Sequence, residues 1–423
     1  MAMNTTTMRR EALVIRGISK AAVSWFIFSL GVQILAMLAI HIFSLNHGFG
    51  GLYPLASGHD DGYYFSLASD LARGGDAGVL PSFYPRILGA LFYFTGPDLI
   101  VGKMLNVVAG AFSVMTGVLL ARDLAREDAL LGGRNELASN LAGERAANLA
   151  GFFLTFYPSQ LWYSTQIVKD PILVFLGLWA LLLGVRFLRR PSFGQGLLWL
   201  AAFCGLFVFR SYAAFALGVA VVLFTVRFRR KWLPFILVIA AIGPLAVGQG
   251  LFGWSQIQPW LDTQRLESFR EVVYSTGGSA ADIRLDFSNP LSFLLTYPYS
   301  FATVMFGPFP WQLRSAGQAI ALVEAIAIWG LIGVWIRGFI EIWRGRPGGE
   351  HQGYASLLML FSVLLLGSVA LFSDNIGANT RLRLLPWCAF FVFAAVRMES
   401  LPIFNRLSLA QFLRFKRPFP RSS

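Results

Sequence analysis

Apolar runs, each close to the length a helix needs to cross a bilayer and separated by short Lys/Arg clusters, constrain this chain most. A helix crosses the hydrocarbon layer with about 20 consecutive apolar residues. Of the 423 residues 56% are hydrophobic and only 13% charged, which excludes an ordinary soluble globule. The formal charge of +13 invites a nucleic-acid partner, but the cations gather between the apolar runs. That pattern orients membrane helices, so no nucleic acid is expected. The first run is too long for a cleavable signal peptide, and no small-residue site closes it. Cys204 and Cys388 fall within predicted spans, and the four histidines show no ligand spacing, so neither a disulfide framework nor a structural metal is expected.

Ten spans place every major basic cluster on one side: 21–43, 99–121, 146–166, 171–187, two between 197 and 226, then 232–252, 316–340, 354–372 and 384–396. Arg9, Arg10, Arg16 and Lys20 precede the first, so both termini are expected in the cytoplasm. The whole chain, 1–423, then reads as a single transmembrane domain. Its long outer loops are 44–98 and 253–314, and 397–423 is a basic cytoplasmic tail. The apolar run 197–226 is divided at Arg210-Ser211-Tyr212. A further crossing at 291–305 would invert everything downstream, and Pro290, Pro298, Pro308 and Pro310 interrupt it. It reads as interfacial or re-entrant, with Phe309 and Trp311 suited to the headgroup zone.

The most acidic stretch outside the tails, 58–75, follows the first span. Tyr64, Leu67, Ala68 and Leu71 recur at helical spacing, so a short amphipathic helix is expected, started by Asp60 or Asp61 and ended by Gly74-Gly75. Asp is a favoured N-cap, and an acid in the first turn suits the helix dipole. Capping therefore competes with catalysis as the reason for the pair.

The topology gathers Asp60, Asp61, Arg86, Lys169, Asp170, Arg210, Asp374, Asn375, Arg381 and Arg383 near one membrane face. Single charges at span ends often only snorkel. Lys169-Asp170 reads equally as an internal ion pair ahead of Pro171. Arg210 interrupts an apolar run and needs a partner: an acid, exposed carbonyls or a phosphate. Arg381 and Arg383 could each grip a phosphate with a guanidinium fork. A sugar linked through phosphate to a lipid needs no general acid for its leaving group. It needs cations for the developing charge and one carboxylate to take the acceptor's proton.

The chain resembles the multi-spanning glycosyltransferases of the GT-C fold, which use polyprenyl-phosphate sugars and include protein O-mannosyltransferases and the aminoarabinose transferases of lipid A. The likeness rests on His59-Asp60-Asp61-Gly62-Tyr63-Tyr64, on Tyr157-Pro158-Ser159 ahead of Lys169-Asp170-Pro171, and on Asn379-Thr380-Arg381-Leu382-Arg383 ahead of Pro386. Phe306-Gly307-Pro308-Phe309-Pro310-Trp311 is similar to a motif of bacterial polysaccharide-assembly proteins. Unlike in the larger members, no sizeable soluble domain is expected after the last span.

The resemblance implies an all-α, GT-C-like protein of about ten transmembrane helices, with amphipathic helices in its first outer loop. It would lie in the bacterial inner membrane with a periplasmic active site. Asp60 would be the base and Asp61 its neighbour. Arg86, Lys169, Arg210, Arg381 and Arg383 would hold the lipid phosphate. Tyr63, Tyr64, Asp374, Asn375 and Trp311 would contact substrate. The expected partners are a polyprenyl-phosphate-linked sugar, the lipid bilayer and an acceptor glycan, lipid or protein. The sequence settles no cofactor, and Asp60 with Asp61 could hold a divalent cation with water completing its shell. Two alternatives stand beside this reading. One is a polysaccharide polymerase or ligase, which needs no carboxylate pair in the first loop. The other is a flippase or transporter of an anionic lipid, which predicts charges through the depth of the spans.

Overall fold

The computed structural model describes residues 19–52, 60–75, 80, 82–228, 263–271, 281, 283–314, 316–344 and 353–399. The cluster Arg9, Arg10 and Arg16, His59, the expected span 232–252, parts of loop 253–314 and the tail beyond 399 lie outside the described residues. Among the described residues every regular element is helical.

Helix α1 (Lys20–Asn46) has 27 residues, about 40 Å of helix. Ser29 and Gln33 face inward, bonded to each other at 2.8 Å, while Ile27, Phe28, Leu35 and Ile42 lie outward as lipid-facing side chains do. The first loop folds into two helices, α2 (Asp60–Ala72) and α3 (Tyr84–Thr95), packed as a hairpin. Helix α2 begins at the acidic pair, as the spacing predicts, and a turn with Gly74 at φ +80° ends it.

Helix α4 (Leu99–Leu131) is the central post and packs on α1, α5 (Glu136–Phe156) and α7 (Asp170–Arg189). The Asp98 carboxylate caps it, accepting from the Ile100 and Val101 amides at 2.8 and 3.0 Å. The sequence places its end near 121, yet the helix continues to Leu131. Its extension carries Asp123, Glu127 and Asp128, which meet Arg186 at 2.9 Å, Arg189, and Arg397 at 3.6 Å. Apolar length alone does not register a helix that continues on ion pairs.

The expected span 146–166 is also two pieces. Pro158 lacks the amide that would continue α5, so the chain turns extended at Tyr157 and restarts as α6 (Pro158–Ser164). The division at Arg210 falls where the sequence puts it, between α8 (Phe193–Phe209) and α9 (Ser211–Phe228). A short helix α10 (Thr263–Phe269) belongs to the second loop. The stretch read as interfacial or re-entrant is one helix, α11 (Pro290–Phe306), with Pro298 inside it. Then come α12 (Ala316–Trp329) and α13 (Ile332–Arg344), bent by 46° at their junction, α14 (Ala355–Phe372), α15 (Ile376–Leu382) and α16 (Leu384–Met398).

Helix α16 is buried along its length except at Arg397, wrapped by α4, α5, α7 and α14. Gly177 of α7 lets Leu385 lie against the backbone: a Cβ there would collide with the leucine side chain. Gly151 of α5 receives the Trp25 ring in the same way. Small residues at crossings allow such close approach between membrane helices. Among the described residues five helices (α1, α4, α7, α9 and α14) are long and apolar enough to cross a bilayer, six if α12–α13 is one broken span. Helices α8 and α16 are shorter apolar helices. The chain is a multi-pass membrane protein.

Candidate active site

The α2 helix starts beside the first turn of α7, the α8–α9 break and α15. Asp60 is the first residue of α2, and its side chain is 52% exposed. Its Oδ2 accepts from Arg381 Nη1 of α15. The same guanidinium donates from Nε to Asp170 Oδ2 of α7. Asp170 Oδ1 in turn accepts from Arg210 Nη2 at 3.0 Å. Four charged residues from four segments thus form one chain, Asp60–Arg381–Asp170–Arg210.

Asp170 is its hub, with 0% of the side chain exposed and each oxygen held by a different arginine. A buried carboxylate needs such pairing, and removing one partner of a buried pair typically costs about 3–5 kcal/mol. This is the acidic partner that Arg210 requires. It also corrects the reading of Lys169-Asp170 as an internal pair: the carboxylate bonds across the bundle, not to its sequence neighbour. Lys169 makes no hydrogen bond or ion pair among the described residues. Burial, and next the Arg210 guanidinium, push its ammonium down to about 8.

Asp61 is buried, and its Oδ1 accepts the Gly62 amide at 2.9 Å. Lys103, buried in the first turns of α4, acts on Asp61 electrostatically. The Lys103 ammonium donates to the Gly51 carbonyl and lies 3.3 Å from His41 Nδ1. Tyr64 is buried edge-on against Tyr84 at 5.4 Å, and burial pushes its phenol up, so it stays protonated. Tyr63 beside it is exposed. Arg86 is an exposed rim residue, 5.8 Å from the Phe83 ring, which meets Phe209 just before Arg210.

Three expected site residues are placed elsewhere, and Asn375 serves as a cap. Arg383 is 1% exposed and turned inward from Arg381. It donates to the Gly307 carbonyl, pairs with Glu324 at 3.3 Å and stacks over Trp387 at 4.0 Å. A guanidinium so enclosed has no open edge for a lipid phosphate, and the expectation of an Arg381/Arg383 double grip is corrected. Asp374 is buried against Arg270, which also donates to the Ile283, Ala370 and Ser373 carbonyls. It is a structural knot at the end of α14 rather than a substrate contact. Asn375 caps α15, accepting the Ala378 amide at 2.9 Å. Trp311 stacks on Phe309 at 4.8 Å and donates to the Tyr299 hydroxyl at 3.0 Å, away from the charge chain.

Sequence reasoning gathered Asp170 at this face without giving it a role, and it passed over Lys103 beside Asp61 and Glu324 as the partner of Arg383. Asp170 had a signal, as a carboxylate directly ahead of Pro171 and a long apolar run. Glu324 had one too, as a lone acid within the run 316–340. Among the described residues no group of three or more His, Cys, Asp or Glu is gathered to hold a metal ion.

Chemically, the arrangement offers a half-exposed carboxylate touching a fixed guanidinium, with an uncommitted ammonium close by. Together, fold and site define a multi-pass membrane protein with a charged cluster at one end of its helix bundle. Comparison of the chain with protein-family models, curated proteins and solved structures finds no match.

Proposed function

We propose that this protein is a GT-C-like glycosyltransferase of the bacterial inner membrane, which moves a sugar from a polyprenyl-phosphate donor to an acceptor glycan, lipid or protein with inversion. The observation that carries the reading is the contact of exposed Asp60 with Arg381, itself anchored on buried Asp170. A base for the acceptor hydroxyl and a cation for the leaving phosphate then lie side by side. Arg381, Lys169 and Arg210 supply the positive charge, with Arg86 at the rim. Asp61 orients Asp60, the acceptor or a bound divalent cation, and Tyr63 and Tyr64 flank the sugar. The site faces the periplasm in this reading.

The reading takes the chain to cross the membrane ten times. The six candidate spans are joined by α8 and α16, each short but apolar, by α5 with its broken end, and by the run 232–252. Outer arginines alone would suit a polymerase or ligase equally, but that reaction gives Asp60 no task.

The test is sugar transfer from a synthetic polyprenyl-phosphate sugar by the purified protein. Asn keeps an oxygen for the helix start and cannot take a proton. Asp60→Asn should therefore reduce transfer by about 10²-fold or more, with melting near wild type. Near wild-type transfer by both Asp60→Asn and Asp61→Asn would remove the reading. A mere cap predicts that outcome, with Ala lowering stability.

A further inference from the structure

We propose that Asp60 is an exchangeable counter-ion of Arg381, displaced by the donor's phosphate, so that donor binding is what frees the base. The proposal rests on the function given above and adds to it an order of events.

The two carboxylates on Arg381 differ in what their loss would expose. Asp170 is enclosed, and its second oxygen is already bound to Arg210 at 3.0 Å. Separating it from Arg381 would strand charge in the interior. Asp60 stands at the first residue of α2 with half its side chain in solvent, so water takes over when it leaves. Of the two contacts, the one to Asp60 yields. Among the described residues Asp60 Oδ1 and Arg381 Nη2 take part in no other hydrogen bond. The outward edge of the guanidinium is thus half used, by a single monodentate contact. A phosphodiester monoanion presents two acceptor oxygens to the same edge and binds it bidentately. The Lys169 ammonium, which makes no hydrogen bond or ion pair among the described residues, reinforces the attraction.

The step that follows balances. The acceptor oxygen bonds to the anomeric carbon, and the carbon–oxygen bond to phosphate breaks with its electron pair going to the phosphate. The hydroxyl proton passes to the Asp60 carboxylate. The released polyprenyl phosphate stays on Arg381 until it leaves; Asp60, half in solvent, gives its proton to water and then returns as the counter-ion. Before the donor arrives, Arg381 occupies an oxygen of the Asp60 carboxylate, so neither acceptor nor water meets a free base.

The experiment measures binding of a short-chain polyprenyl monophosphate to the full-length protein in lipid nanodiscs. Wild type, Asp60→Asn, Arg381→Lys and the double variant are compared. If the pair is closed about nine-tenths of the time, Asp60→Asn should bind the lipid about tenfold tighter than wild type. Against the Arg381→Lys background the same change should give no gain. Asp60→Ser, which also keeps a capping oxygen, serves if the Asn variant does not fold. Unchanged or weaker binding by the neutral variant overturns the exchange, as does an equal gain in the Lys background. The functional reading fails separately, when Asp60→Asn and Asp61→Asn both retain near wild-type transfer. A wild-type protein that binds no polyprenyl phosphate defeats both.

Discussion

Asp60 and Asp170 are each the first residue of a helix and each bind Arg381, yet burial gives them opposite weights. Asp170→Ala leaves two arginines facing a buried gap and should destabilise the protein by about 3–5 kcal/mol. Asp60→Ala removes a half-exposed partner and should cost about 1 kcal/mol or less. Denaturant midpoints of the two purified variants in detergent check this, and equal losses would contradict the assignment of hub and rim. The sequence made Asp60, Arg210 and Arg381 legible because a charge beside a long apolar run is expensive wherever it sits. It could not separate Arg381 from Arg383. Their fates depend on Asp170 and Glu324, 211 and 59 residues away, and no spacing rule connects such distances. Asp374 was misjudged for the same reason: Arg270 reaches it from a loop 104 residues earlier.

Among elements, α2 was legible in place and length, because an acidic pair, a helical stripe and two glycines mark start, face and end together. The breaks at Pro158 and Arg210 differ in that respect. An arginine in an apolar run announces itself, whereas Pro158 interrupts a run that reads as continuous by hydropathy. Helix α16 is misleading in another way, since its 15 residues meet other helices and not lipid. What α16 requires is close neighbours, and Gly177 provides one. Gly177→Val would drive a side chain into Leu385 and should cost about 1–3 kcal/mol by overpacking. Because α7 carries Asp170 and α16 follows Arg381, the same change should lower sugar transfer without touching a charged residue. Melting and transfer assays of Gly177→Val together check this, and a variant with wild-type values in both would argue against a tight α7–α16 crossing.

For the molecule as a whole, the two ends of the bundle carry different electrostatics. One holds the Asp60–Arg381–Asp170–Arg210 chain, the other the Asp123, Glu127 and Asp128 pairs with Arg186, Arg189 and Arg397. With Cys204 and Cys388 replaced, Ser66→Cys on exposed α2 should react with an impermeant thiol reagent in whole cells. Ser192→Cys, ahead of α8, should react only after permeabilisation. The reverse pattern would turn the molecule over in the membrane. The doubly held Asp170 also bears on how the protein is made. Synthesis runs from the N-terminus, so Asp170 leaves the ribosome 40 residues ahead of Arg210 and 211 ahead of Arg381. Arg210 neutralises the carboxylate while the chain is still growing, and the second oxygen waits for nearly the last helix. Assembly of the Asp60–Arg381–Asp170–Arg210 end is therefore a late event in translation, and a chain truncated before α15 is born with its bundle begun and its charge chain unmade.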